Sequence, residues 1–192
     1  MKVQEYIGLL TWTAADKLLY IVYGVVSIVQ LTAVTPEVFA VFQIMLGFLS
    51  FFYSFGDSVA LSLIIQFGTL PEGRAKANLM GLLLFVISAV IPASALFAFT
   101  DEFAALLSEP ALAEIGPMLL ILTVISIPRL IVIKMAYRDH EMNKLFWMNF
   151  VYFGTLTVYT FVLLARVQWF TFADLARMYV LSNALSSVAG FL

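Results

Sequence analysis

Cysteine is absent from the 192 residues, and histidine occurs once, as His140. Disulfides and thiolate metal sites are therefore excluded, and a lone histidine in a charged loop reads as a solvated side chain, not a metal ligand. Charge is scarce too: 10 Lys and Arg against 12 Asp and Glu, a net charge of -2. With no basic cluster and no base-stacking motif, nothing points to nucleic acid. There is no P-loop, no GxSxG elbow, no HExxH pair and no dinucleotide fingerprint. No cofactor or metal is implied, and the chain does not read as an enzyme.

What fills the chain instead is hydrocarbon. Hydrophobic residues make up 63% and charged residues 11%, with a mean hydropathy of +1.03. A soluble domain is about half apolar and about a quarter charged. The excess belongs in a lipid bilayer. Six apolar segments follow one another, at about 6–34, 38–67, 77–99, 115–137, 145–164 and 172–192. Each reaches the roughly 20 residues that a helix needs to cross a core about 30 Å thick. The first is too long, and too interrupted by Asp16 and Lys17, for a cleaved leader. The fold expected is an all-α membrane protein, a bundle of six transmembrane helices.

The breaks carry helix punctuation. Thr35-Pro36-Glu37 reads as a helix start, with Thr at the N-cap, Pro at N1 and an acid in the first turn, and Leu70-Pro71-Glu72-Gly73-Arg74 reads as a polar turn. Between Thr100 and Glu114, Phe103, Leu106 and Leu107 predict a short interfacial helix. Trp169 and Phe170 suit the headgroup level. With the N-terminus inside, the inner loops and helix ends hold Lys2, Arg74, Lys76, Lys134, Arg138 and Lys144. The outer side holds Arg166 and Arg177, with Glu37, Asp101, Glu102, Glu109, Glu114 and Asp174. The imbalance predicts both termini on the cytoplasmic side.

Several segments carry a polar stripe at steps of three and four. In the first it runs Thr13, Asp16, Tyr20, Tyr23, Ser27, Gln30; in the second, Gln43, Gly47, Ser50, Ser54, Asp57. Each set shares one side of a helix. Ionisable groups in hydrocarbon turn toward a partner or a watery cavity. The stripes therefore predict a bundle around a polar path, as in a transporter. Asp16 and Asp57 are the candidates for ion or proton coupling, or for a structural salt bridge. Lys17 reads either as a cavity contact or as an interfacial anchor. Arg129 follows Pro128, which removes a backbone donor and kinks its helix. Its planar guanidinium suits phosphate, or a bridge to one of the acids. Weaker stripes are Asn78, Gly81, Ser88 and Pro92; Asn149, Tyr152 and Tyr159; and Tyr179, Asn183, Ser186 and Gly190. Ser182, Ser186 and Gly190 also form small-xxx-small steps, which predict close helix packing.

The stretch from Leu31 to Phe39 (Leu-Thr-Ala-Val-Thr-Pro-Glu-Val-Phe) resembles the first loop of bacterial polysaccharide-export flippases. These belong to the multidrug/oligosaccharidyl-lipid/polysaccharide superfamily. The stretch from Ser54 to Leu61 is similar to that family's segment ending helix two, with Ser54 where the family has an acid and Asp57 just after Gly56. The charged run from Lys134 to Lys144 is also typical. The resemblance covers the whole chain through soft motifs. It implies one lobe of a two-lobe transporter in the bacterial inner membrane. The cargo would be an undecaprenyl-diphosphate-linked oligosaccharide for cell-surface polysaccharide such as O-antigen, moved by alternating access. Lys17 and Arg129 are the cations that would hold the diphosphate. A single lobe encloses no cavity between lobes, so a second lobe, lost by truncation or supplied by another chain, is expected. The alternatives are a cation-coupled multidrug exporter of the same superfamily and a non-transporting membrane subunit.

Overall fold

The computed structural model describes residues 3–108 and 110–191. Lys2, Glu109 and Leu192, which enter the orientation argument and the last expected span, lie outside the described residues. The described chain folds into helices α1 (Val3–Thr32), α2 (Pro36–Phe67), α3 (Pro71–Ala98), α4 (Thr100–Leu107), α5 (Ile115–Asp139), α6 (Met142–Leu164) and α7 (Phe172–Phe191). A 3-10 turn, Pro110–Glu114, leads into α5.

The helix start expected at Pro36 is where α2 begins. α3 begins on Pro71, inside the stretch expected to be a polar turn and ahead of the span expected from Ala77, and Leu70 is held extended (φ -84°, ψ 133°) by the proline that follows it. His140 takes the left-handed conformation (φ 58°) beyond α5. Its N–H donates to the Tyr137 carbonyl at 3.4 Å and that of Glu141 to the Ala136 carbonyl at 2.9 Å, which closes the helix end. Ahead of α7, the Thr171 N–H donates to Asp174 Oδ2 (3.0 Å) and the Asp174 N–H to Thr171 Oγ1 (3.2 Å), a reciprocal cap.

Among the described residues, five helical segments are long and apolar enough to cross a membrane: α1, α2, α3, α5 and α6. Their outward faces carry what such a crossing needs. On α1, Leu18, Ile21, Val25 and Ile28 form a stripe exposed by 59 to 65%. Water would not tolerate so continuous an apolar face, and a bilayer covers it. The sixth expected segment folds as the 20-residue α7. It carries Asp174, Arg177, Asn183 and buried Ser182, Ser186 and Ser187, so its apolarity falls short of the other five.

The chain divides into two compact units. The first comprises residues up to Thr35 together with those from Pro128 onward; the second comprises Pro36–Ile127. The division falls inside α5, immediately before Pro128.

In the second unit α2 and α3 pack through glycine. A Cβ on Gly56 would lie 2.6 Å from Phe85 Cε2, and one on Gly81 would lie 2.7 Å from Ile64 Cγ1. Both helices widen into a π turn nearby, at Asp57–Leu61 and Val86–Val90. Tyr53 donates to the Leu122 carbonyl at 3.2 Å. The short helix expected between Thr100 and Glu114 is α4: the Phe103 ring packs edge-on against Phe48 at 5.9 Å, while Leu106 is exposed.

In the first unit α1 and α7 pack on α6. Met148, Leu156, Ala176 and Met178 are fully buried there. The end of α1 is tied to the segment before α7: the Phe170 N–H donates to the Ala33 carbonyl at 2.8 Å, and Val34 bridges Phe170. Phe170 is thereby buried and Trp169 is left exposed, so one of the two expected headgroup aromatics faces outward.

Candidate functional site

The polar stripe of α1 lies opposite its apolar face, and the first unit folds around it. Asp16, an ionisable side chain on that buried side of the helix, is 3% exposed. Its Oδ1 accepts a hydrogen bond from Asn149 Nδ2 of α6 at 2.7 Å. Asn149 Oδ1 in turn accepts from Arg129 Nη2 of α5 at 2.7 Å. Arg129 Nε donates to Ser186 Oγ of α7 at 3.0 Å, and that hydroxyl donates to the Met148 carbonyl at 2.8 Å. The guanidinium carbon sits 4.2 Å from the centroid of the Tyr152 ring, a cation–π contact whose strength grows where water is thin. Four helices thus converge on one charged chain, acid to amide to guanidinium.

Chemistry fixes the direction of the amide. A guanidinium has only donors and an ionised carboxylate only acceptors. Asn149 must therefore turn its oxygen to Arg129 and its NH2 to Asp16. Asn149 lies seven residues into α6, about 10 Å along it.

A second cluster continues the seam along α1. The Tyr23 hydroxyl lies 3.2 Å from that of Tyr179 and donates to Gln30 Oε1 at 3.4 Å. Gln30 Nε2 donates to Thr160 Oγ1 at 2.6 Å and approaches Met178 Sδ at 3.5 Å. From Asp16 to Gln30 the seam covers roughly 21 Å, at the rise of about 1.5 Å per residue.

At its other end the seam opens. A cavity of about 160 Å³ is lined by Trp12, Thr13, Asp16, Lys17, Tyr137, Met142 and Leu145. Asp16 thus touches Asn149 on one side and free space on the other. Lys17 is exposed, and its amine lies 5.2 Å from the centroid of the Tyr20 ring. Adjacent residues on a helix diverge by about 100°, so the acid enters the seam and the lysine stays at its mouth.

Of the residues singled out from the sequence, Asp16, Tyr23, Gln30 and Arg129 come together in the seam. Tyr20 borders it, edge-on to Phe153 at 4.7 Å and about half exposed. Ser27 is half-buried and donates to the Gly24 carbonyl of its own helix at 2.8 Å. Gln43, Ser50, Ser54 and Asp57 belong to the second unit. The first three are exposed along α2, and Asp57 is half-buried at the start of the π turn. Two residues central to the seam belong to the weak stripes: Asn149, which has no role assigned from the sequence, and Ser186, which the sequence marks for helix packing alone. Thr160 was not singled out, because a threonine bonded to its own helix, here to the Leu156 carbonyl at 2.7 Å, leaves no trace in spacing.

No protein-family model, curated protein or solved structure matches the chain. The fold and the site define the class on their own terms: a multi-pass helical membrane protein with an acid–amide–guanidinium chain buried in one unit of its bundle.

Proposed function

We propose that the protein is one lobe of an alternating-access transporter. It moves an undecaprenyl-diphosphate-linked oligosaccharide across the bacterial inner membrane for cell-surface polysaccharide biosynthesis. In this reading α7 completes six crossings, both termini face the cytoplasm, and a second lobe faces this one. The observation that carries the reading is the buried Asp16–Asn149–Arg129 chain ending on a cavity. Ionisable groups at such positions mark ion and substrate paths. A purely lipid-facing anchor has no use for them. The flippase resemblance of the Leu31–Phe39 and Ser54–Leu61 stretches selects the cargo.

The roles divide by availability. Lys17, exposed at the cavity mouth, is the cation a diphosphate meets first. Arg129 has five N–H donors and spends two on Asn149 and Ser186. The remaining three can take phosphate oxygens without breaking the seam. Asp16 couples the movement to an ion gradient. A second reading, a cation-coupled exporter of organic cations, draws support from the same cavity, since Asp16 there stands beside Trp12 and Tyr137.

The test is leaflet transfer of a labelled lipid-diphosphate glycan in vesicles holding the protein and its second lobe. Under an imposed ion gradient, Asp16→Asn is expected to slow transfer by about tenfold or more, and Asp16→Glu to keep most of it. No transfer under any gradient would remove the flippase reading. Efflux of an organic cation that Asp16→Asn abolishes, with glycan transfer intact, would put the exporter in its place.

A further inference from the structure

The Asp16 cavity has the acid a metal cation would want, but its surroundings are arranged against one. A metal ion needs several oxygens at once. Beside Asp16 the nearest carboxamide presents its NH2, the positive end of its dipole, because its oxygen is held by Arg129. The guanidinium itself stands one residue further on. Around Asp16 the remaining groups are Lys17 and Tyr20 on its own helix, Tyr137 and Arg129 on α5, and Thr13, whose hydroxyl already donates to the Leu9 carbonyl at 2.8 Å. The second carboxylate oxygen of Asp16 accepts no hydrogen bond from the described residues.

The geometry points to Arg129 as the residue that sets the ion selectivity of this cavity. It is a tethered cation: by holding Asn149 Oδ1 it leaves Asp16 able to take a proton on its second oxygen and unable to assemble a sodium site. Toward the ion Arg129 acts through Asn149, as a positioning residue, and its remaining donors stay available to phosphate. The inference rests on the coupling role proposed for Asp16, and deepens it by naming the ion. Removing the guanidinium frees Asn149 to turn its oxygen toward Asp16. The oxygens of Asp16 and Asn149 then face the cavity together with no positive charge behind them, the Thr13 and Tyr137 hydroxyls stand beside them, and a sodium site appears.

The test uses the purified full chain in lipid nanodiscs, with sodium chloride compared against choline chloride at equal ionic strength. The wild-type melting temperature is expected to be the same in both salts. Arg129→Met is expected to gain a sodium-specific rise of several degrees, since a ligand bound only by the folded state stabilises it. Adding Asp16→Asn to Arg129→Met should erase that rise. Arg129→Lys keeps a donor for Asn149 and should behave as wild type. A folded Arg129→Met that ignores sodium overturns the proposal. So does a sodium-specific rise in the wild type that Asp16→Asn removes. A second measurement needs no variant: carbodiimide labelling of Asp16 in the wild type should be indifferent to sodium. Protection by sodium overturns the proposal. These are binding readouts. Failure of glycan or organic-cation transfer in vesicles would remove the transporter reading and leave them standing, whereas sodium protection would remove the selectivity assignment alone.

Discussion

Asn149→Ala is expected to destabilise the protein by about 3 kcal/mol, more than any other single polar truncation in the first unit. The amide joins Asp16 to Arg129, and its loss strands a carboxylate oxygen and a guanidinium N–H together. Two magnitudes compete. An interhelical hydrogen bond in a membrane protein is worth about 0.6 kcal/mol on average when deleted. Breaking one partner out of a buried charge network costs about 3–5 kcal/mol, because the remaining charge is left uncompensated. The second governs here, since both neighbours of Asn149 carry formal charge and Asp16 is 3% exposed. The control is Asp16→Leu, Asn149→Leu and Arg129→Met combined. Replacing a whole buried network by apolar groups is often neutral, so the triple variant should recover most of the loss. Denaturant titration of the reconstituted protein reads both. A cost under about 1 kcal/mol for Asn149→Ala would mean that water already reaches both charges.

Gly190→Leu is expected to cost about 3 kcal/mol by overpacking the contact of α7 with α5 and α6. A Cβ at Gly190 would lie 2.8 Å from Met148 Cε and 3.1 Å from Val132 Cγ1. The methionine end can swing aside, but a β-branched valine on a helix has one good rotamer and cannot. Gly190→Ala should therefore be close to neutral, the clash offset by helix propensity of about 1 kcal/mol. The contrast is Gly154 on α6, where an added Cβ meets nothing within 4 Å. Gly154→Ala should stabilise by up to about 1 kcal/mol. The same titration separates the three variants. Equal losses for Gly190→Leu and Gly154→Leu would mean that α7 does not pack as described.

These two sites mark what could be read from the sequence and what could not. The helices were legible because apolar runs bounded by Pro, Gly and charge admit little else. Close packing at Ser182, Ser186 and Gly190 was legible too, since small residues four apart form a groove. The spacing of Asp16, Tyr23 and Gln30 announced a buried side of α1, and that is where the seam lies. The partners were not legible. Nothing in the order of residues says that Asn149 of α6 meets Asp16, 133 positions away. One asparagine among apolar neighbours is a faint signal until another helix supplies the charges it joins. The division of the chain before Pro128 also left no mark beyond the proline itself. It assigns Asp16 and Asp57, the two coupling candidates, to different units.

The central claim is that the Asp16 end of the seam is wet within the bilayer while the rest of it is dry. The chain has no cysteine, so an introduced one is the sole thiol. Only the thiolate reacts, and it forms where water reaches. Thr13→Cys lines the cavity, and Ser182→Cys lies at a position fully buried in α7. In sealed vesicles, a charged thiol reagent is expected to label Thr13→Cys rapidly and to leave Ser182→Cys unmodified. If Thr13→Cys proved as inert as Ser182→Cys, the cavity would be closed to water and the transport account of Asp16 would be wrong.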